Sequence, residues 1–122
     1  AMDNPSFQSI GVDGKLLWSV SEGEHGAITG FVINRKNGKL KRLRTYSSEG
    51  SAPCYITYDK IENSVLATNY GSGNVVRFFV RPDGTARGEI LNHQHEGSGP
   101  VGSRQSSPHA HSIRIDRDGH YA

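Results

Sequence analysis

The chain of 122 residues is 34% hydrophobic and 21% charged, and its formal net charge at pH 7 is +2. This length is typical of one domain, and the composition argues against a disordered chain. No apolar run approaches the roughly 18 residues that a bilayer-spanning helix requires, and the mild charge gives little reason to expect nucleic acid, so neither a membrane nor a nucleic-acid partner is predicted. The single cysteine excludes an internal disulfide and is compatible with a reducing compartment, which favours a cytoplasmic protein.

Frequent turn signals indicate short strands, and the predicted fold class is all-β. The chain has fifteen glycines, and Asp-Gly or Asn-Gly pairs stand at residues 13–14, 37–38, 83–84 and 118–119. A four-stranded antiparallel meander is predicted over residues 7–12, 16–20, 27–33 and 40–46. The apolar run at 16–20 predicts that the first hairpin is buried, with Trp18 and Phe31 in the core.

The same pattern then repeats. Strands are predicted at residues 54–58, 65–69, 74–80 and 86–92, and a third copy begins near residue 107 and turns at 118–119. Pro5, Pro53 and Pro108 mark matching positions, spaced 48 and 55 residues apart. Four-stranded units that recur about every 40 to 50 residues are typical of β-propeller blades.

Propellers close with about four to eight blades, so we interpret the chain as a propeller fragment. Residues 1–3 are assigned to a vector scar, 4–51 to blade one, 52–106 to blade two and 107–122 to an incomplete blade three. A strand without a partner and blade faces without a neighbour lead us to expect that the fragment self-associates or belongs to a longer chain.

A basic cluster straddles the turn at residues 37–38. It consists of Lys36, Lys39, Lys41, Arg42 and Arg44. Lysines on an exposed edge strand discourage strand addition by other chains, and we prefer this interpretation to nucleic-acid binding.

Residues 93–112 hold four of the six histidines. Glycines at 97, 99 and 102 and the proline at 100 exclude a helix and predict a long exposed loop. From His109 the sequence alternates as strands do, so His109 and His111 are expected to project from one face of a strand.

In a propeller, the loops that precede first strands share one face with the loops that join second and third strands. Side chains distant in sequence are therefore expected to meet at the mouth of the central channel. These are the loop at 22–25, Asn69, Tyr70, the loop at 95–107 with Arg104, His109 and, one step further down, His111. Imidazoles, a guanidinium and a phenol in a concave mouth suit an anionic substrate and general acid–base catalysis.

Three interpretations of the histidines stand side by side. They catalyse or bind substrate, they only hydrogen-bond loop carbonyls and close the channel, or His109 and His111 supply two ligands to a metal ion. A catalytic zinc site needs a third protein ligand, which only His93, His95 or Glu96 offers in this stretch.

Two other motifs are rejected. Residues 97–102 match Gly-x-Gly-x-x-Gly, but no helix is predicted after them, as a dinucleotide site would require. There is no Gly-x-Ser-x-Gly sequence, so a serine nucleophile with a histidine partner is unsupported.

Several motifs together resemble the seven-bladed propeller lactonases, a family that includes propeller-type 6-phosphogluconolactonases and fungal carboxy-muconate lactonizing enzymes. The matching residues are Asn4-Pro5-Ser6-Phe7, Pro53-Cys54, Ala67-Thr68-Asn69-Tyr70-Gly71-Ser72-Gly73, His95-Glu96-Gly97-Ser98-Gly99-Pro100, Arg104-Gln105 and Pro108-His109-Ala110-His111-Ser112. The chain departs from the family pattern at Tyr55, where histidine is usual, and near Ser106, where an acidic residue is usual.

The resemblance implies a seven-bladed lactonase that hydrolyses a sugar lactone such as 6-phosphogluconolactone, with no cofactor and with further site residues from later blades. The site residues that it implies here are His109, Arg104 and His111 for catalysis, and Asn69, Tyr70, His95 and Glu96 for substrate binding. Alternatives are a muconate-lactonizing type isomerase and a non-catalytic platform that binds a small anion or a partner peptide. The 122 residues alone are expected to be inactive.

Overall fold

A computed structural model describes the backbone of residues 2–122 and every side chain among them except that of Val12. It contains two four-stranded antiparallel sheets, each a meander in which consecutive strands are neighbours. The first sheet comprises β1 (Pro5–Ile10), β2 (Leu16–Ser21), β3 (Ala27–Ile33) and β4 (Leu40–Ser47). The second comprises β5 (Pro53–Asp59), β6 (Ser64–Asn69), β7 (Asn74–Val80) and β8 (Ala86–Gln94). The predicted all-β meanders are confirmed.

The connection between β1 and β2 differs from the predicted two-residue turn. Asp13 and Gly14 do have the positive φ values of a tight reversal, 58° and 63°. However, β1 already ends at Ile10, and a single 3-10 turn (Val12–Gly14) lies between it and β2. The Gly11 amide donates to the Leu16 carbonyl at 2.8 Å across this connection.

Within residues 2–122, no helix combines the length and the apolar character needed to cross a membrane.

The two sheets pack against each other through one shared core. Its buried members are Trp18, Val20 and Ile28 from the first sheet and Ile56, Val65, Ala67, Val76, Phe78 and Val80 from the second. The rings of Trp18 and Phe78 are nearly perpendicular with their centroids 5.6 Å apart, and the Tyr46 ring lies 5.3 Å from Phe78. Burial of each large side chain contributes about 1.5–3 kcal/mol, so this interface is the main source of stability.

The first strands of the two sheets lie side by side, as they do around the axis of a propeller. The Tyr58 amide on β5 donates to Ser9 Oγ on β1 at 3.1 Å, and Ser6 Oγ donates to the Pro53 carbonyl at 3.4 Å. The thiol of Cys54 on β5 in turn contacts the backbone carbonyls of Ala110 and His111. The segment that carries His109 and His111 therefore lies beside β5, as β5 lies beside β1.

Three expectations about burial and strand formation are wrong. Phe31 is only partly buried and is not a member of the core. The first hairpin is buried only on its β2 side, since β1 leaves Phe7 38% and Ile10 62% exposed. Among the residues that the structure describes, 107–116 form no strand, although the predicted turn at 118–119 does form. The physical reason is the lack of a pairing partner. The backbone hydrogen bonds of this segment involve Asp116 alone, whose amide donates to the Tyr121 carbonyl at 2.9 Å and whose carbonyl accepts from the Gly119 amide at 3.3 Å.

Candidate active site

The segments that precede each first strand are held in the same way in both sheets. Asn4 and Ala52, each followed by proline, have positive φ values of 41° and 49°. The carbonyl of each accepts a hydrogen bond from the residue after the second strand, Glu22 to Asn4 at 2.9 Å and Tyr70 to Ala52 at 3.0 Å. The repeat inferred from the prolines therefore has a structural counterpart at this end of the sheets.

Loops at this end also connect one sheet to the next. The Ala52 amide donates to the Gly23 carbonyl at 2.7 Å, which ties the second sheet to the β2–β3 loop. Gly73, in the β6–β7 loop, approaches Pro108 so closely that a Cβ would stand 2.4 Å from the Pro108 carbonyl oxygen. The loops before first strands and the loops after second strands thus gather at one end, as predicted.

Three aromatic side chains form a cluster at this end, called here the Tyr70 cluster: Tyr70, His109 and His111. The imidazole of His109 stacks on the Tyr70 ring with centroids 4.6 Å apart and an angle of 18°. His111 meets the same ring edge-on at 5.6 Å and 89°. Tyr70 is half-buried and both histidines are exposed, so the cluster offers two solvent-accessible imidazoles on an ordered support.

One hydrogen bond determines which nitrogen of His109 carries the proton in the neutral ring. Nδ1 lies 2.9 Å from the Tyr70 carbonyl oxygen. A carbonyl only accepts, so Nδ1 is the donor, and the tautomer with the proton on Nδ1 is the one that satisfies this contact. Nε2 is then left with a free lone pair, which is what a general base requires.

The segment that carries the histidines presents its residues to two different sides. Ala110, Ser112 and Ile113 line a cleft of about 490 Å³ that they share with His93 and His95. The rings of His93 and His95 are 5.1 Å apart in that cleft. His109 and His111 do not line this cleft, and among the residues that the structure describes no ring contact joins His95 to the Tyr70 cluster.

Asn69 lies below the surface of this end of the molecule. Its side chain has no exposed area, and its amide Nδ2 donates to the Ser48 carbonyl at 2.7 Å. That bond anchors the linker between the two sheets next to Tyr70. Asn69 therefore supports the loop that carries Tyr70, and the structure gives it no surface for direct contact with a ligand.

Arg104 and Glu96 lie on the exposed loop of residues 95–107. A compact turn closes the loop, since the amides of Arg104 and Gln105 donate to the Val101 carbonyl at 2.9 and 2.7 Å. Within residues 2–122 the side chains of Arg104 and Glu96 make no hydrogen bond or ion pair, so the structure does not join them to the Tyr70 cluster.

Among the side chains that the structure describes, no three of His, Cys, Asp or Glu come together to hold a metal ion.

A second cleft, of about 460 Å³, opens at the opposite end of the sheets and is lined by Lys15, Tyr58 and Arg81 among others. Burial raises the pKa of Tyr58 there, and the carboxylates of Asp59 and Asp13 raise it further. No predicted site residue lines this cleft.

Cys54 was not predicted as a site residue, yet its thiol contacts the carbonyl oxygens of Ala110 and His111 at 3.7 and 3.5 Å. The sequence offered one signal for this contact. Pro53-Cys54 and Pro108-His109 stand at matching positions of the repeat, and matching positions of neighbouring first strands lie next to each other.

Comparison with known proteins places these features in a family. Residues 1–122 match the family described as "Lactonase, 7-bladed beta-propeller". A 6-phosphogluconolactonase of Bacillus subtilis (strain 168) is 30% identical over 111 residues, which is 90% of this chain and 32% of that protein. A 6-phosphogluconolactonase of Formosa agariphila is 30% identical over 121 residues, 97% of this chain and 34% of that protein.

Solved structures are similar as well. The match to a Bacteroides uniformis crystal structure has a TM-score of 0.87 at 31% identity and covers 98% of this chain and 35% of that one. The periplasmic gluconolactonase of Pseudomonas aeruginosa matches with a TM-score of 0.86 at 25% identity, covering 95% of this chain and 34% of that one. The chain thus spans about a third of the length of the proteins that it matches. It belongs to the seven-bladed β-propeller lactonase family.

Proposed function

We propose that the chain is part of a lactonase that hydrolyses a sugar lactone such as 6-phosphogluconolactone at the Tyr70 cluster. Relatives that carry the name 6-phosphogluconolactonase support the reaction class. The observation that carries the proposal is the 2.9 Å hydrogen bond from His109 Nδ1 to the Tyr70 carbonyl. It orients an exposed imidazole and leaves Nε2 available to accept a proton.

In the proposed reaction, Nε2 of His109 takes a proton from a water molecule as the water oxygen bonds to the lactone carbonyl carbon. The ring C–O bond of the lactone then breaks, and the departing oxygen takes the proton back from the imidazolium. The product is the open-chain hydroxy acid, and His109 returns to its starting state. Throughout, the Tyr70 carbonyl accepts from Nδ1–H, which favours the imidazolium when it forms.

Arg104 and His111 are assigned supporting parts. The guanidinium of Arg104 is exposed and makes no hydrogen bond or ion pair within residues 2–122, so it is available to bind the phosphate or carboxylate of the substrate. His111 is held against the same tyrosine as His109 and offers a second imidazole to the substrate. Groups from other blades are expected to complete the site.

Two substitutions at residue 109 test whether the imidazole is the base. In the complete protein that carries this sequence, His109→Ala is expected to lower kcat for 6-phosphogluconolactone by about 10²-fold or more, the usual size of a general-base effect. His109→Asn retains an amide N–H near the position of Nδ1 but has no counterpart of Nε2. It should be as inactive as His109→Ala if His109 is the base, and active if His109 only closes the channel by hydrogen bonding.

His120→Ala is the matched control, because His120 is an exposed histidine on the turn near Asp116. Its kcat is expected to equal that of the wild type. Unchanged turnover in both residue 109 variants would refute the assignment. Binding of lactones without any product, measured across a panel with the complete protein, would instead favour the non-catalytic platform.

A further inference from the structure

The segment of residues 108–113 carries both histidines of the Tyr70 cluster but has few hydrogen bonds to the rest of the molecule. Within residues 2–122, no backbone–backbone hydrogen bond involves it. Three bonds through side chains attach it: His109 Nδ1 to the Tyr70 carbonyl at 2.9 Å, and Cys54 Sγ to the carbonyls of Ala110 at 3.7 Å and His111 at 3.5 Å. A single thiol therefore provides two of the three polar attachments.

The surroundings of Cys54 orient this thiol. Cys54 is half-buried on β5, and its sulfur also lies 3.8 Å from Thr68 Oγ1 on β6. A thiol has one proton, and the two carbonyls can only accept. The Thr68 hydroxyl is therefore the donor to sulfur, and the thiol proton is shared between Ala110 and His111. This chain of bonds runs from the buried strand β6 to the backbone of the histidine segment.

We propose that Cys54 is a positioning residue for the candidate active site. Its thiol sets the distance between β5 and the backbone at residues 110 and 111, and so the placement of the two imidazoles over Tyr70. Within residues 2–122 the thiol makes no hydrogen bond to either imidazole, and in this proposal it acts through the backbone of the segment. The kinetic side of this proposal rests on the lactonase function proposed above.

The size of the expected effect follows from the geometric tolerance of catalysis. A shift of about 1 Å in a catalytic group is able to cost about 10²-fold in rate. Loss of the thiol removes two weak bonds but leaves the bond from His109 to the Tyr70 carbonyl in place. The imidazoles should therefore move by less than about 1 Å. We therefore expect Cys54→Ala to lower kcat by about tenfold while KM changes little, since the substrate contacts are not removed.

Three further variants make the test specific. Cys54→Ser retains a donor in place of the thiol and should keep most of the wild-type kcat. Cys54→Val fills the space without a donor and should behave like Cys54→Ala. Ser6→Ala is the matched control, because Ser6 Oγ donates to the Pro53 carbonyl at 3.4 Å, the corresponding contact between the first strands of the first and second sheets. It should leave kcat unchanged.

The experiment measures kcat, KM and melting temperature in the complete protein, together with the NMR signals of the two imidazoles, whose shifts depend on the ring current of Tyr70. The expected result is a change in these signals in Cys54→Ala and Cys54→Val but not in Cys54→Ser or Ser6→Ala. If Cys54→Ala melts far below the wild type, the kcat and imidazole signals of Cys54→Val are compared with those of Cys54→Ser. That comparison then decides whether the thiol positions the segment.

Wild-type kcat and unmoved imidazole signals in Cys54→Ala and Cys54→Val would overturn the proposal. An equal loss of kcat in Ser6→Ala would overturn it as well, because the effect would then be general loosening between sheets. If His109→Ala retains full turnover, the lactonase assignment fails, and the imidazole signals still decide whether Cys54 positions the segment.

Discussion

At the scale of single residues, Gly30 controls how closely β3 approaches the core aromatic side chains. A Cβ at this position would stand 2.7 Å from Cζ3 of Trp18 and 3.0 Å from Cη2. Trp18 has no exposed area, and its ring is rigid and surrounded by the core, so it is unable to move aside. The absence of a side chain at residue 30 therefore leaves room on β3 for the ring of Trp18, which is paired with Gly30 across the β2–β3 ladder.

Gly30→Ala is expected to destabilise the protein by about 1–3 kcal/mol, the usual cost of forcing extra volume into a packed core. Gly23→Ala is the matched control, because a Cβ there would meet nothing within 4 Å. Urea denaturation of the complete protein would check this, with a lower midpoint for Gly30→Ala and an unchanged one for Gly23→Ala. Equal midpoints for the two variants would mean that the tryptophan is able to shift.

At the scale of elements, the hairpin between β7 and β8 is stabilised by a side chain in its turn. Thr85 donates to Asp83 Oδ1 twice, through its hydroxyl at 2.7 Å and its amide at 2.9 Å. The hydroxyl bond is the larger cause, and together these bonds hold the pKa of Asp83 below the usual range of an aspartate. Asp83 is exposed, so water screens the effect and its contribution to stability is modest.

The lowered pKa of Asp83 determines how the stability of this hairpin depends on pH. The folded state favours ionised Asp83, so the stabilisation is present above the usual pKa range and disappears as pH falls through the lowered pKa. Thr85→Ala removes the hydroxyl bond but keeps the amide bond. We expect it to move the pKa of Asp83 upward, part of the way to the usual range. Carboxyl titration by NMR would measure this, and the control Thr57→Ala, on β5, should leave the Asp83 titration unmoved.

The strands and turns were largely predictable because they depend on local sequence. Alternation of apolar residues and the Asp-Gly or Asn-Gly pairs located all eight strands, with ends within about two residues. Burial was less predictable. Ile10 lies in an apolar strand but is 62% exposed, because burial depends on what covers a strand and not on its own composition.

The candidate site was predictable in part for the same reason. The repeat pattern of the sequence predicted that His109 and Tyr70 lie at one end of the sheets, and in the structure their rings stack there. The sequence pattern did not show that the ring of His95 contacts His93 and not the Tyr70 cluster, because the sequence does not give the direction in which the loop of residues 95–107 crosses. The sequence pattern also did not show the contact of the Cys54 thiol with the carbonyls of Ala110 and His111, because this contact depends on how the histidine segment packs against β5.

At the scale of the whole molecule, the two sheets bury one interface and leave other apolar surface uncovered. Ile10 on β1 is 62% exposed and Leu91 on β8 is 55% exposed. A cleft of about 490 Å³ also remains between the second sheet and the histidine segment, lined by Val75 and Ile113. In a propeller such surfaces are covered by neighbouring blades, and burying them is favourable by about 25 cal/mol per Å².

The 122-residue chain on its own is therefore expected to self-associate, with apolar surface from one copy covering that of another. Sedimentation velocity at several concentrations should show oligomers whose share grows with concentration, and lactone turnover should be absent or very weak. Ile10→Lys places a charge on the exposed side of β1 and should reduce association, because covering the strand would then bury an unpaired ammonium group. Val101→Lys, at an apolar loop residue that is 52% exposed, is the matched control and should leave association unchanged. A cooperatively melting monomer at all concentrations would contradict this prediction, because it would mean that two sheets bury enough apolar surface to be stable without a neighbour.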